Sequence, residues 1–218
     1  MRARKVKTEI RQDQIARAAL SIVVSQGLEK LNVAAVAEKV GIVPSGIYRH
    51  FKGKEAVLDA VLDFISSRMH TNLTAVRNDI KDPLERLHAL LQRHIQMIQQ
   101  NRAIPQIIFS DEIFGGQPQK KEKLYGIIKG LLAGVGDVIQ EGQEHGHIRA
   151  DMKPPTLALM FLGLIQPAAI IWHLSGGAFD IREHAEKAWK VYRDAIVVTH
   201  VSPKGKTPAE RHMRVKGS

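Results

Sequence analysis

Apolar residues recur at spacings of three and four along most of the chain, which is typical of amphipathic helices. The first such run begins near Thr8 and ends at Gly27. The later runs predict helices over about 33–40, 44–51, 54–76, 83–98, 119–145, 157–174 and 181–195. Between residues 104 and 118, large apolar residues are mixed with Gly and Pro, which predicts a short helix and a mobile loop. The pattern therefore indicates an all-α protein.

Two of the predicted helices are short and are joined by a tight turn. Asn32 is a favourable N-cap, because its side-chain oxygen can accept a backbone N–H of the first helical turn. Gly41 suits the left-handed position just past the end of that helix, and Ile42 can supply the accompanying apolar contact. Pro44 suits the first position of the second helix. This order predicts a helix-turn-helix that packs on the preceding helix.

The second short helix has faces that differ in chemistry. Ile47 and Phe51 fall on one side, which is predicted to be buried. The opposite side carries small residues and one cation, and two hydrogen-bonding side chains flank it. In sequence order these five residues are Ser45, Gly46, Tyr48, Arg49 and His50.

Such a face suits the major groove of DNA. Small residues let the backbone approach the bases, and Arg49 can read guanine. Tyr48 and His50 can reach phosphates on the two groove walls, and Lys52 and Lys54 add phosphate contacts. The alternatives are that the Tyr48 ring is partly structural and that Arg49 is a solvated surface charge.

The net charge of +10 is concentrated at the two ends of the 218-residue chain. Residues 1–54 carry +7, residues 55–202 carry −1, and residues 203–218 carry +4. A basic head on a nearly neutral body is the charge distribution expected of a nucleic-acid-binding domain joined to another domain. We therefore predict a DNA-binding domain over 1–54, a second domain over 55–202 and a disordered basic tail over 203–218.

The run LNVAAVAEKVGIVPSGIYRHFKGKEAVLDAV resembles the DNA-binding domain of the TetR family of bacterial transcriptional repressors. The matching features are the pair Val36–Ala37, the Gly41–Ile42 turn, and the segments IYRHF and KEAVL. The resemblance implies that Ser45, Gly46, Tyr48, His50 and Lys54 face DNA. It also implies a C-terminal domain that dimerises and binds a small-molecule effector. Val43 departs from the Ser or Thr often found there, which removes a side-chain cap typically worth about 1 kcal/mol.

The predicted helix over 157–174 is apolar nearly all round, so it needs cover on every side. Gly163, Gln166, Pro167 and His173 interrupt it, which argues against a membrane span. We therefore predict that it lies partly in a homodimer interface. A second interface stripe is predicted on the last helix, formed by Ile181, Ala185, Ala188, Trp189, Tyr192 and Ala195. A twofold dimer can read two half-sites about 34 Å apart on a near-palindromic operator.

The implied effector pocket is predicted to be mainly apolar, which suits an apolar or aromatic ligand. Its candidate lining residues are Phe109, Phe114, Ile128, Phe161, Ile165 and Trp172, with His94 and His173 as polar anchors. Each of these side chains also has a plain alternative role in filling the core. Gly126, Gly130 and Gly134 form a ridge on the helix over 119–145, interpreted as a close approach of another backbone rather than as space for a ligand.

Other functional classes find less support in the sequence. There is no phosphate-binding loop and no G-x-S-x-G or H-E-x-x-H motif, so no enzyme and no cofactor are predicted. The absence of cysteine excludes disulfides and thiolate metal sites, and the basic N-terminus runs into no apolar segment, so a cytoplasmic protein is predicted. Glu144, His145 and His147 are interpreted as a polar turn rather than a metal site. An alternative stays open in which the C-terminal domain binds a protein partner, or has no effector.

Overall fold

The computed structural model describes residues 2–43, 47–48, 51–115 and 118–198, and of residues 2–10 only the backbone. Within these ranges the regular structure is helical, apart from one backbone bridge between Ile148 and Val197. The helices are α1 (Arg2–Gln26), a 3₁₀ turn (Leu28–Lys30), α2 (Val33–Val40), α3 (Lys54–Asp79), α4 (Pro83–Gln100), α5 (Ala103–Ile108), α6 (Asp111–Phe114), α7 (Pro118–Glu144), α8 (Pro154–Gly163), α9 (Gln166–Leu174) and α10 (Ile181–Ile196). The all-α prediction is confirmed.

The caps predicted around α2 are present. The Asn32 side chain accepts a hydrogen bond from the Ala35 N–H at 2.9 Å, so α2 begins at Val33. Gly41 is left-handed with φ of 71°, and the Ile42 N–H donates to the Ala37 carbonyl at 2.9 Å. These bonds satisfy backbone groups at both ends of α2 and turn the chain toward the next segment.

Two hydrophobic clusters form the core. The first joins α1, α2 and the N-terminal half of α3. It also takes in side chains from later in the chain: Met97, Ala103, Ile104, Ile107, Ile113 and Leu124. Because this cluster is continuous past Lys54, the N-terminal helices rest directly on the body. A domain boundary at Lys54 therefore stays a prediction.

The second cluster includes most of the stripe that was predicted to form a dimer interface on the last helix. Ile181, Ala185, Trp189 and Tyr192 are buried within their own chain, and α10 packs against α4. The Tyr192 hydroxyl donates to the Leu157 carbonyl at 2.9 Å, which ties α10 to α8. The interface prediction is wrong for these four residues. Periodicity identifies a buried face but not the chain that buries it.

The apolar stretch predicted as one helix over 157–174 forms two, α8 and α9. Pro167 has no N–H to donate to the carbonyl of Gly163, and Leu164 and Ile165 donate to carbonyls three residues back. Among the described residues, Pro154–Leu174 is the single stretch long and apolar enough to meet a membrane-span criterion. Core helices of soluble proteins meet the same criterion.

Three further expectations need correction. The first helix begins at Arg2 rather than near Thr8, and the segment expected to hold a short helix and a loop contains α5 and α6. Of the three ridge glycines, only Gly134 is tightly packed, since a Cβ there would lie 2.7 Å from Leu73 Cδ1. Gly126 and Gly130 face open space within the chain.

Candidate DNA-binding surface and effector site

The segment after the α2 turn has the buried and exposed sides that the sequence predicts. Ile47 and Phe51 are buried in the first cluster, while Tyr48 between them is 50% exposed. The Phe51 N–H donates to the Ile47 carbonyl at 2.9 Å, which is helical spacing. Tyr48 is therefore held at the surface by two buried neighbours on its own segment.

Four predicted DNA contacts, Ser45, Gly46, Arg49 and His50, lie outside the described residues, as does Pro44. Lys52 is exposed just beyond Phe51. Tyr48 and Lys52 are thus the predicted contacts that the structure places at the surface.

Lys54, the remaining predicted phosphate contact, is already paired. Its Nζ lies 2.8 Å from Glu112 Oε1, and both side chains are partly buried. The hydrogen bond from Lys54 lowers the pKa of Glu112, so that carboxylate is charged near neutral pH. Since Glu112 belongs to α6, this ion pair joins the N-terminus of α3 to the body.

Replacing Glu112 by glutamine is expected to tighten DNA binding, because a free Lys54 ammonium can contact a phosphate without first leaving a carboxylate. We expect a gain of about two- to fivefold at low salt, the scale of a partly exposed ion pair. Fluorescence anisotropy with operator DNA measures it. Asp111→Asn removes an equal charge from the same helix and is the matched control. Equal tightening by both variants would show a general charge effect and no role for the pair.

A second set of ion pairs fastens α7 to α3. The Nζ of Lys120 is almost fully buried and lies 3.0 Å from the Glu55 carbonyl oxygen and 3.2 Å from Asp59 Oδ1. Lys123 Nζ lies 2.7 Å from Asp63 Oδ1. Together with Lys54–Glu112, these contacts hold the first three turns of α3 against the body. A displacement of α7 or α6 would therefore also move α3, the helix that follows the DNA-binding segment.

The structure does not gather the eight predicted effector residues in one pocket. His94 and Phe161 line the same internal cavity, whereas Trp172 and His173 line a separate surface groove of about 180 Å³. Phe109 and Phe114 are each about half exposed and stack on one another with ring centroids 6.3 Å apart. The other two are apolar core residues, Ile128 half-buried between the two clusters and Ile165 fully buried in the second.

The internal cavity is small and lined mainly by apolar side chains. Its volume is about 10 Å³, and it is lined by Met69, Asn72, Leu90, His94, Met97, Leu131 and Phe161. Burial lowers the pKa of His94 to about 4, so the imidazole is neutral at physiological pH. Within the described part of the chain, no hydrogen bond of the structure ends on its ring. A neutral imidazole at an apolar cavity can anchor a polar group of an otherwise apolar ligand.

Sequence reasoning missed a basic surface groove that adjoins this cavity. The groove has a volume of about 440 Å³, and Arg17, Arg68 and Arg93 line it. The guanidinium carbons of Arg17 and Arg68 lie 5.2 and 5.1 Å from the ring centroid of the buried Phe64. We call this surface groove the arginine groove. The three arginines come from α1, α3 and α4, so no local pattern could have revealed their convergence.

Exposed apolar side chains lie on α8, α9 and α10, and α9 contacts both of the other helices. The large ones are Leu159, Met160, Ile170, Ile171, Leu174 and Val191. We call this set the α8–α10 patch. Monomeric proteins seldom expose a cluster of large apolar side chains, so such a patch marks an interaction surface.

Two family profiles match the chain. The one described as "Bacterial regulatory proteins, tetR family" covers residues 15–61, and "YsiA-like protein, C-terminal region" covers residues 61–195. The nucleoid occlusion factor SlmA of Alteromonas mediterranea is 26% identical over 136 residues, which is 62% of this chain and 70% of that protein. The fatty acid metabolism regulator protein of Bacillus subtilis is 22% identical, over 77% of this chain and 86% of that protein.

Solved structures show the same fold. FadR from Bacillus halodurans, a fatty acid degradation regulator, superposes with a TM-score of 0.71 at 20% identity, covering 84% of this chain and 94% of its own. The transcriptional regulator FadR from B. subtilis, solved in complex with stearoyl-CoA, gives a TM-score of 0.70 at 20% identity, covering 84% and 98%.

These features define a helix-turn-helix DNA-binding protein with a helical body. They are the capped α2, the glycine turn, and the exposed Tyr48 between two buried neighbours. The two profiles together span residues 15–195, and the chain belongs to the tetR family of bacterial regulatory proteins. It is a DNA-binding transcriptional regulator. The matched family is one of bacterial regulatory proteins, and this class is consistent with a cytoplasmic location.

Proposed function

We propose that the protein is a homodimeric repressor that binds a near-palindromic operator and is released from it by a small-molecule effector bound in its C-terminal domain. The observation that carries the proposal is the surface after α2, where buried Ile47 and Phe51 hold Tyr48 outward next to exposed Lys52. In this reading, Ser45, Gly46, Arg49 and His50 complete the DNA-binding surface and Arg49 reads a base. Lys54 joins them after leaving Glu112.

The α8–α10 patch supports the dimer. Leu174 is 79% exposed and Val191 is 73% exposed, and covering such side chains releases water that is otherwise ordered or constrained around them. Two chains related by a twofold axis through this patch present two reading segments to one duplex. The proposed interface therefore still lies on helices near the C-terminus, as the sequence predicts. It uses the α8–α10 patch in place of the stripe predicted on the last helix.

The effector is proposed to occupy the body beside His94 and Phe161. The cavity there is too small for more than about one water molecule, so ligand entry requires side chains to move. Met69 and Met97 are suited to this, because methionine is unbranched and changes rotamer at low cost. The other predicted lining residues stay candidates for contacts at the edge of the effector site. They are Phe109, Phe114, Ile128, Ile165, Trp172 and His173.

Replacing Lys52 by alanine is expected to weaken binding to every DNA sequence, because a phosphate contact carries no sequence information. The slope of log affinity against log salt concentration should fall by about 0.9, one phosphate's share. Lys190→Ala, at an exposed position of α10, is the matched control and should leave the slope unchanged. An unaltered slope for Lys52→Ala would remove this residue from the DNA-binding surface.

The repressor proposal is tested by selecting duplexes from a random library with the full-length protein. The selected sequences should share an inverted repeat with half-sites about one helical turn apart. Arg49→Ala should then relax preference at one base position by about 1 to 3 kcal/mol. Selection of duplexes with no common repeat would contradict the proposed operator reading.

One alternative keeps the same DNA-binding segment. In it, the C-terminal domain binds a protein partner, or has no effector, as the resemblance to a nucleoid occlusion factor permits. A small molecule that lowers operator affinity distinguishes the effector-responsive repressor from this alternative.

A further inference from the structure

A polar surface groove lies between α4 and α10. Its volume is about 370 Å³, and six residues line it: Gln92, Ile95, Gln96, Arg182, Ala185 and Glu186. We call it the α4–α10 groove. It shares no lining residue with the internal cavity beside His94, and only Gln96 with the arginine groove. Its chemistry therefore has to be explained separately from the proposed effector site.

The α4–α10 groove carries two opposite charges that do not neutralise each other. Arg182 and Glu186 are one helical turn apart on α10, and oppositely charged side chains at this spacing can pair. Among the described residues, however, no ion pair joins them, and α4 holds each one instead. Arg182 Nε donates to Gln99 Oε1 at 2.6 Å. Gln92 Nε2 donates to Glu186 Oε1 at 3.1 Å.

Another pair on α10 shows that the spacing itself does not prevent pairing. Glu183 and Lys187 are also one helical turn apart, and Lys187 Nζ lies 2.7 Å from Glu183 Oε1. Neither of these side chains lines the α4–α10 groove. The separation of Arg182 from Glu186 thus accompanies their contacts with α4.

Glu186 is also held by a stacked histidine. His88 Nε2 lies 2.8 Å from Glu186 Oε2, and the His88 ring lies parallel to the Trp189 ring, with centroids 5.1 Å apart. Gln92 and His88 thus hold the two oxygens of the carboxylate from α4. A group that is restrained before a ligand arrives loses less conformational freedom on binding.

Both charged groups keep hydrogen-bonding capacity for a ligand. The two terminal guanidinium nitrogens of Arg182 have no hydrogen-bond partner in the described part of the chain. Each carboxylate oxygen of Glu186 has one partner on α4 and can accept a further hydrogen bond. The rest of the lining includes the amide of Gln96 and the buried apolar residues Ile95 and Ala185. The groove therefore offers a cation, an anion, an amide and a small apolar surface to one ligand.

We propose that the α4–α10 groove binds a free α-amino acid, with its ammonium group on Glu186 and its carboxylate on Arg182. A ligand with a single charge is attracted to one of these side chains and repelled by the other, so only a zwitterion gains from both. Four residues of a helix rise about 6 Å, which suits two charged groups on one carbon atom better than the ends of a long chain. The site is additional to the proposed effector cavity and does not depend on operator recognition.

The test titrates the full-length protein with L-alanine, with N-acetyl-L-alanine, which lacks the ammonium charge, and with L-alaninamide, which lacks the carboxylate. Binding is followed by NMR at the indole N–H signals of the two tryptophans, assigned with Trp172→Phe. The Trp189 signal should shift, because Trp189 stacks on the histidine that holds Glu186, and the Trp172 signal should not. We expect L-alanine to bind in the millimolar range, about two- to fivefold more tightly than either derivative, which is the scale of a partly exposed ion pair.

Two variants assign each contact. Glu186→Gln should weaken L-alanine binding about two- to fivefold but should not weaken the binding of N-acetyl-L-alanine, which has no ammonium group to lose. Arg182→Gln should weaken L-alanine binding by a similar factor but should not weaken the binding of L-alaninamide. A general loss of structure would weaken the binding of all three probes alike.

Two controls remove the same charges elsewhere on α10. Glu183→Gln and Arg193→Gln lie outside the groove lining and should leave the affinities of all three probes unchanged. Circular dichroism checks that each variant is folded.

Several outcomes would overturn the inference. Equal binding of L-alanine and its two derivatives would show that the groove does not recognise paired charges. A Trp189 signal that does not shift up to the solubility limit of L-alanine, or that shifts no more than the Trp172 signal, would remove the amino acid from the groove. Unchanged L-alanine affinity in both Glu186→Gln and Arg182→Gln would also contradict the proposed contacts. Each of these results leaves operator recognition intact.

Discussion

Replacing Ile171 by glutamate is expected to convert the dimer to a monomer and to lower operator affinity by at least a hundredfold. Ile171 is half exposed in the α8–α10 patch, so a buried and unpaired carboxylate would face the partner subunit. DNA affinity falls with it, because the second half-site contact becomes a separate bimolecular event. Analytical ultracentrifugation measures the oligomeric state and fluorescence anisotropy measures operator binding.

The matched control for this change is Tyr125→Glu. Tyr125 is 65% exposed on α7, outside the α8–α10 patch, and the substitution introduces the same charge at another exposed large side chain. It should remain a dimer with near-normal operator affinity. If Ile171→Glu sediments as a dimer at the same concentration, the interface lies elsewhere on the molecule.

Replacing His94 by glutamine is expected to remove a pH dependence of stability. The pKa of His94 is lowered to about 4 in the folded protein by burial, whereas an unfolded chain protonates histidine near 6.5. The unfolded state therefore binds more protons as pH falls below 6.5, and stability is lost down to about pH 4. The wild type should lose about 3 kcal/mol from this group between pH 7 and pH 4.

Urea unfolding at pH 7 and pH 4, at one protein concentration, measures this loss. The difference in unfolding free energy between wild type and His94→Gln should shrink, or change sign, at the lower pH. His70→Gln, an exposed histidine on α3, is the control and should follow the wild type. Parallel pH profiles for wild type and His94→Gln would mean that His94 is not held neutral by burial.

The parts of the fold that local chemistry determines could be predicted from sequence. Asn32 caps α2, and Gly41 takes the left-handed turn at its end. Each of these features depends on residues within one helical turn. The buried positions of Ile47 and Phe51 follow in the same way from helical periodicity.

What sequence could not determine is which elements meet. The stripe with Trp189 and Tyr192 has the period of any buried face, and it packs on its own chain rather than on a second subunit. Six of the eight effector candidates are apolar or aromatic residues, and those properties do not distinguish core filling from pocket lining. Arg17, Arg68 and Arg93 lie far apart in sequence, so each alone is indistinguishable from a solvated surface charge. Only the folded structure shows that they line one groove.

Sequence-specific repression is tested by an anisotropy titration with DNA from the region flanking the protein's own gene, at two salt concentrations. We expect tight binding to a near-palindromic segment, with two chains per site, that persists at the higher salt. Weak binding of equal strength to every fragment, lost steeply as salt rises, would contradict sequence-specific repression.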